Sequence, residues 1–360
     1  MSGRLRAKIL PPLLFGLIAI VVVDKLLVPD ARQLAETLRV FRWALVPAIL
    51  GLTLYNYALR FVKWQYYLRL IGVRDVGTSD SALVFFGNFT MVLTPGKVGE
   101  LFKSYLLRRV AGTPIAASAP IIIAERMTDG LAMVALAALG LANARFGWPI
   151  LVVTLVAATV GIGVVQHRPL AGRILRAGER IGPLASRVHH LHEFYESAYE
   201  LLRPKPLGLA VLIGFASWLG ECLAFYLVLL GLGLPPSWSL AIAATSILAL
   251  STLVGSASML PGGLGVADAS IAGMLLAIVA SPLMTHDVAV AASLLIRFAT
   301  LWFGVLIGAG ALLLFHRRFG AVPDLAASQA TAAEAVPAAT DVAPEGVETT
   351  AEPAPVRLRR

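Results

Sequence analysis

The sequence is poor in charge. Asp, Glu, Lys and Arg make up 14% of its 360 residues, against about 25% in an ordinary soluble domain. Hydrophobic residues make up 58% and fall in long unbroken blocks, not at helical or strand spacing, which excludes a water-soluble globule. Cysteine is also nearly absent. The single Cys222 sits inside an apolar block, so there is no disulfide framework and no thiolate metal site. The chain also lacks the upstream glycine and Ser/Thr that would make Gly96-Lys97 a phosphate-binding loop, and it has no G-x-S-x-G elbow and no H-E-x-x-H pair. No catalytic residue, metal site or cofactor is therefore assigned. The net charge of +9 does not mark a nucleic-acid partner, because the basic residues lie between apolar blocks and a polytopic protein carries cytoplasmic positive charge in any case.

The blocks predict an all-α polytopic membrane protein with about seven or eight transmembrane or re-entrant helical elements. They run over Ile9–Val23, Ala44–Leu59, Ser81–Thr94, Ile115–Leu141, Trp148–Val165, Leu207–Leu230, Leu240–Leu260, Leu264–Ala280 and Val288–Phe315. Arg4, Arg6 and Lys8 precede the first block and no small-residue cleavage site follows it. It is read as a retained helix with a cytoplasmic N-terminus. The polar segment 166–206 holds seven Lys/Arg against four acids, which places it in the cytoplasm, and Arg317 and Arg318 place the C-terminus there too. This gives a membrane domain over 1–316 in the cytoplasmic (inner) membrane. The tail 317–360, rich in Ala, Pro, Glu and Thr, is expected to be disordered. His189, His190 and His192, with Glu193 and Glu196, are read as an amphipathic helix at the membrane surface and not as a metal cluster.

Two blocks are interrupted alike. Ser81–Thr94 is too short to cross about 30 Å of hydrocarbon and ends in Pro95-Gly96-Lys97-Val98-Gly99; the block from Leu240 ends in Pro261-Gly262-Gly263-Leu264-Gly265. Proline removes a backbone donor and glycine loosens the chain, so each helix must break there. Arg60, Lys63, Arg69 and Arg74 precede the first break, and Lys97, Lys103, Arg108 and Arg109 follow its start, as a hairpin dipping from the cytoplasm requires. Pro-Gly-x-x-Gly twice, in halves of opposite predicted orientation, suggests an inverted repeat over about 44–141 and 207–316, the plan of secondary transporters. The plainer alternative is that each motif is a loop between two complete helices.

Charges inside apolar blocks are costly and so mark function. From Leu207 to His316 they are Glu221, Asp268, Asp287 and Arg297, of which Asp287 falls in a predicted loop. In the first half Glu100 and Lys103 follow the first break, and Glu125, Arg126 and Asp129 lie within one apolar stretch. Glu125 and Asp129, at i and i+4, share a helix face with Arg126 beside them. The competing reading is an internal salt-bridge cluster that only orders helices. Arg297 has no acid within one turn in sequence, so its partner is Asp268 or a ligand.

These motifs, from Phe89 to Glu100, Glu125-Arg126-Met127-Thr128-Asp129, Leu260 to Val266, and Arg297 in an apolar helix, resemble the transmembrane region of the lysylphosphatidylglycerol synthase/flippase family over about residues 10–316. The resemblance implies a multi-helix lipid flippase. Fused bacterial members also carry a soluble aminoacyl-transferase domain, which these residues do not contain. The resemblance thus implies translocation of a lipid with a polar or phosphate-containing head group and not aminoacyl-lipid synthesis. It is carried at Pro95, Gly96, Gly99, Glu100, Glu125, Arg126, Asp129, Pro261, Gly262, Gly263, Gly265 and Arg297, with Asp268 where the family has a glutamate. Arg126, Arg297 and Lys103 are expected to neutralise a lipid phosphate. Glu100, Glu125, Asp129 and Asp268 are expected to balance those cations, bind an amine or carry a proton. Two other functions fit the same residues: a membrane subunit supporting a separate lipid or glycan synthase, and a membrane-embedded lipid transferase with Glu125 or Asp129 as base.

Overall fold

The computed structural model describes residues 31–94, 99–141, 148–169 and 188–320, and no strand occurs among them. The first block, Pro95, Gly96, residues 170–187 of the polar segment and residues 321–360 of the tail lie outside the described residues. The helices are α1 (Ala31–Val40), α2 (Val46–Leu70), α3 (Thr78–Gly87), α4 (Phe102–Ala111), α5 (Ile115–Leu141), α6 (Trp148–Gln166), α7 (Val188–Leu201), α8 (Pro204–Gly231), α9 (Trp238–Ala257), α10 (Val266–Ile278), α11 (His286–Arg297) and α12 (Phe303–Phe319). Among the described residues, five helical segments are long and apolar enough to cross a membrane: Trp43–Leu70, Pro204–Gly231, Trp238–Ala257, Pro261–Ile278 and His286–Phe319. The protein is an all-α polytopic membrane protein.

Local chemistry sets the ends. Gly112, at φ 68°, closes α4 by donating to the Arg108 carbonyl at 2.8 Å, a left-handed cap that a β-carbon would disfavour. Pro204 sits in the first turn of α8, where its missing N–H costs nothing. Ser237 and Thr285 cap α9 and α11 by accepting from the N–H groups of Leu240 and Val288 at 3.1 and 3.4 Å.

The long helices α2 and α8 pack against each other through small and polar residues, as is usual where lipid supplies no hydrophobic drive between helices. Gly220 lies so close to Tyr55 that a Cβ would sit 2.6 Å from its ring. Beside it Asn56 Nδ2 donates to the Ser217 carbonyl at 3.0 Å, and Ser217 Oγ returns a bond to the Asn56 carbonyl at 3.3 Å. A buried core joins α5, α8, α9, α10 and α11, with Leu136, Phe225, Ile247, Leu275 and Ile296 at its centre.

The two interrupted helices differ. α3 has ten residues, about 15 Å or half the hydrocarbon, and then tightens into a 3-10 turn over Asn88–Leu93. The second arm, α9, is a continuous helix of twenty residues, long enough to cross by itself, because nothing before Ser258 interrupts its backbone ladder. A 3-10 turn over Pro261–Gly263 follows, with Gly262 at φ 58°. The two 3-10 turns touch each other.

Two boundaries read from the blocks move. The run Ala44–Leu59 does not end at Leu59; the helix continues to Leu70 and carries Lys63 to 1% exposure. Lys63 is therefore a buried ion-pair partner and not a cytoplasmic flank. The block Val288–Phe315 is part of one helical segment that starts at His286 and runs to Phe319. Within it a π-helical turn over Phe298–Trp302 separates α11 from α12, and Tyr57 donates from its hydroxyl to the Thr300 carbonyl in that turn. Such turns free backbone groups that a side chain can then satisfy.

Candidate functional site: a charged cavity between the two breaks

A cavity of about 210 Å³ opens where the two breaks meet. Its walls come from both halves: Tyr57 and Arg60 of α2, Phe89 of the first 3-10 turn, Glu100 and Lys103 at the start of α4, and Glu125 and Arg126 of α5. Opposite them stand Trp218 and Glu221 of α8, Ser251 and Thr252 of α9, Gly262 of the second turn, and Arg297 with Thr300 of the π turn. Five of the seven substrate-binding candidates therefore share one wall-to-wall space: Glu100, Lys103, Glu125, Arg126 and Arg297. Asp129 and Asp268 stand behind it, each 3% exposed, against cations.

Pairing does not follow sequence neighbourhood. Arg126 turns away from Glu125 and Asp129 and forms an ion pair with Glu100 at 2.7 Å, its Nε donating to Glu100 Oε2 at 2.9 Å. Glu125 accepts from Lys103 Nζ at 2.6 Å, and that ammonium also lies 4.4 Å from the Trp64 ring centre, a cation–π contact in a desolvated place. Asp129 accepts from Lys63 Nζ, with Arg60 at 3.9 Å. The Glu125 and Asp129 carboxylates share a face of α5 but are neutralised by different helices, α4 and α2.

The second break is tied by one arginine. Arg297 Nε lies 3.1 Å from Asp268 Oδ1, and its Nη2 donates to the Gly262 carbonyl at 2.5 Å. Asp268 Oδ2 accepts from the Gly265 N–H at 2.8 Å, which caps α10. Asp268 thus holds both the arginine and the restart of the helix, and its short side chain suffices because Gly265 lies in its own first turn and the long Arg297 side chain reaches in to it. In the first break Thr94 Oγ1 accepts from the Gly99 N–H at 3.1 Å and donates to the Met91 carbonyl at 2.6 Å. A Cβ on Gly99 would overlap the Thr94 hydroxyl.

Gly263 shows how tightly the second break is built. It has φ 65°, and a Cβ there would lie 3.1 Å from Gly255 Cα. Gly263→Ala is expected to lower unfolding stability by about 1–3 kcal/mol, read as a fall in melting temperature in detergent. Gly273→Ala, on α10 with open space around it, should leave stability level or raise it. Equal melting temperatures for the two variants would refute the close contact.

Sequence reasoning misses Arg60, reading it as a flanking charge, and gives Glu221 no role although it marks an intramembrane acid there. A signal for Arg60 exists: it lies four residues after Asn56 and three before Lys63 on one helix.

Residues 9–308 match the sequence profile of the lysylphosphatidylglycerol synthase transmembrane region. The chain belongs to that family. Two UPF0104 membrane proteins of Methanothermobacter thermautotrophicus (strain Delta H) are similar to it. One is 34% identical over 115 residues, covering 28% of this chain and 34% of the relative. The other is 27% identical over 270 residues, covering 68% and 78%. The family match spans both breaks and every charged residue of the cavity.

Proposed function

We propose that this protein moves a lipid with a phosphate-containing head group across the cytoplasmic membrane, with the head group passing through the cavity between the two breaks. The observation that carries this reading is the charged cavity itself, lined from both halves at the meeting point of two interrupted helices in an otherwise apolar body. Non-helical backbone at membrane depth is tolerated only when buried in protein or lining a polar cavity, and here it does both. In this reading α2–α5 and α8–α12 are the two units of an inverted repeat: each has a long helix, an arm to a Pro-Gly break, a short helix, and a last helical span bearing an inward arginine. The membrane domain is 1–316 with both termini cytoplasmic.

Arg126 is the cation best placed to meet the phosphate. Its side chain is 43% exposed, against 5% for Lys103 and 16% for Arg297, so it can exchange Glu100 for a ligand oxygen without unfolding its surroundings. A guanidinium also matches a phosphate with two parallel hydrogen bonds. Purified protein in liposomes should move head-group-labelled phospholipid or a polyprenyl phosphate between leaflets. Arg126→Ala is expected to lower that rate at least about tenfold, the loss of one charge-assisted hydrogen bond, while its melting temperature stays close to wild type. Folded Arg126→Ala moving lipid at the wild-type rate would sink the assignment. Folded wild type moving none of these lipids would favour a subunit supporting a separate synthase.

A further inference from the structure

Among the described residues, Glu221 is the one acid of the cavity region with no partner. Glu100 is paired with Arg126, Glu125 with Lys103, Asp129 with Lys63 and Asp268 with Arg297. Arg60 sits 3.9 Å from Asp129 and over the Trp218 ring. Glu221 lies on α8, is 8% exposed as a residue and lines the cavity. Among the described residues it makes neither a hydrogen bond nor an ion pair. A buried carboxylate without a donor is expensive, and structural stability does not account for its presence.

Of the groups that line or back the cavity, Arg60, Lys63, Lys103, Arg126 and Arg297 stand against Glu100, Glu125, Asp129, Glu221 and Asp268. The set is neutral when Glu221 is ionised. It carries one positive charge when Glu221 holds a proton. A phosphodiester head group brings one negative charge and cannot take up a proton near neutral pH. Placed in this cavity beside an ionised Glu221 it would leave an uncompensated charge in a low-dielectric space; with Glu221 protonated the site is neutral again. The titratable and charged groups near enough for their charge to act on Glu221 are Tyr57 and Arg60 on α2, Asp129 on α5 and Arg297 at the end of α11. From α9 the polar groups lining the cavity are the hydroxyl residues Ser251, Thr252 and Ser256. Arg297 is held by Asp268, and Arg60 lies 3.9 Å from an Asp129 that Lys63 already neutralises, so an anion that takes the charge of Arg60 leaves an ionised Glu221 without a balancing cation.

We propose that Glu221 takes up one proton when the cavity binds a monoanionic lipid phosphate, so that anion and proton occupy the site together. The proton comes from water and bonds to a carboxylate oxygen of Glu221; no other bond changes. This rests on the lipid reading above and adds its coupling: a proton gradient would then drive the head group in the direction in which protons flow.

The test is calorimetric titration of the detergent-solubilised full chain with dihexanoyl-phosphatidylglycerol, in two buffers of different ionisation enthalpy, between pH 6 and 9. The wild type is expected to take up close to one proton per lipid at the upper end of that range, with affinity falling toward tenfold per pH unit as the pH rises. Glu221→Gln, isosteric and uncharged, should bind with no proton uptake and a flat pH profile; Glu221→Asp should restore uptake. Binding with no proton uptake at any pH, or uptake unchanged in Glu221→Gln, would overturn the proposal. Failure of the transport reading looks different: no lipid movement in liposomes, with proton-linked binding intact. Lipid movement without proton uptake would instead leave transport standing and remove the coupling.

Discussion

Lys63→Met is expected to destabilise the protein by about 3–5 kcal/mol, the cost of leaving one member of a buried ion pair without its partner. Lys63 is 1% exposed, and its ammonium donates to Asp129 and reaches Thr128 Oγ1 at 3.4 Å. Asp129 Oδ2 is buried and accepts no hydrogen bond; among the described residues the only other cation on it is Arg60, at 3.9 Å. With Lys63 gone, the carboxylate would have to attract Arg60 fully or take a proton, and the packing of α2 on α5 would open. Lys63→Met combined with Asp129→Leu removes both charges and should recover most of the loss, because the desolvation cost disappears with the attraction. The measurement is a double-mutant cycle of unfolding stability in detergent. A double variant no more stable than Lys63→Met alone would show that the pair does more than cancel charge, and would return Asp129 to the set of groups needed at the site.

Arg297→Ala should abolish lipid movement and loosen the second break together. A helix broken by Pro261 and Gly262 leaves carbonyls with no intrahelical donor, and inside a membrane each unsatisfied group costs several kcal/mol. Arg297 donates to one of them, the Gly262 carbonyl, while its Nε faces Asp268 at 3.1 Å. One planar guanidinium holds the break and the restart of α10 from two of its nitrogens. Lysine carries the same charge on a single nitrogen and cannot span both, so Arg297→Lys should restore little of the function. Removing the arginine also strands Asp268, which is 3% exposed. Backbone amide exchange over residues 258–268 in detergent should rise at least about tenfold in Arg297→Ala, equivalent to about 1.4 kcal/mol of local stability. Unchanged exchange there, with transport lost, would assign Arg297 to the ligand alone; unchanged transport would exclude it from the site.

Much of the candidate site is legible in the sequence because its signals are local. Proline and glycine interrupt a helix wherever they stand, so Pro261-Gly262-Gly263 reads as a break from residue identity alone, and Gly262 and Gly263 do take positive φ. A charged residue in an apolar run is conspicuous by itself, which marks Glu100, Glu125, Arg126, Glu221 and Arg297, all of which line the cavity. Arg60 and Lys63 escape because they follow an apolar run, where a charge reads as a boundary. Hydropathy averages over a window, and it cannot distinguish a helix that ends from one that continues with a single polar face.

Composition and the order of apolar blocks determined the solvent, the helical class and the two points where helices must break, because all three depend on backbone chemistry and on transfer from water, which act residue by residue. Tertiary structure alone decided which acid meets which base. Arg126 pairs with Glu100 across 26 positions and Arg297 with Gly262 across 35, while Glu125, the immediate neighbour of Arg126, goes to Lys103. Ion pairing depends on distance in space and on how dry the place is, and neither is written in the spacing of residues along a chain. The unpartnered state of Glu221 is of the same kind: it exists only because four other acids are satisfied around it.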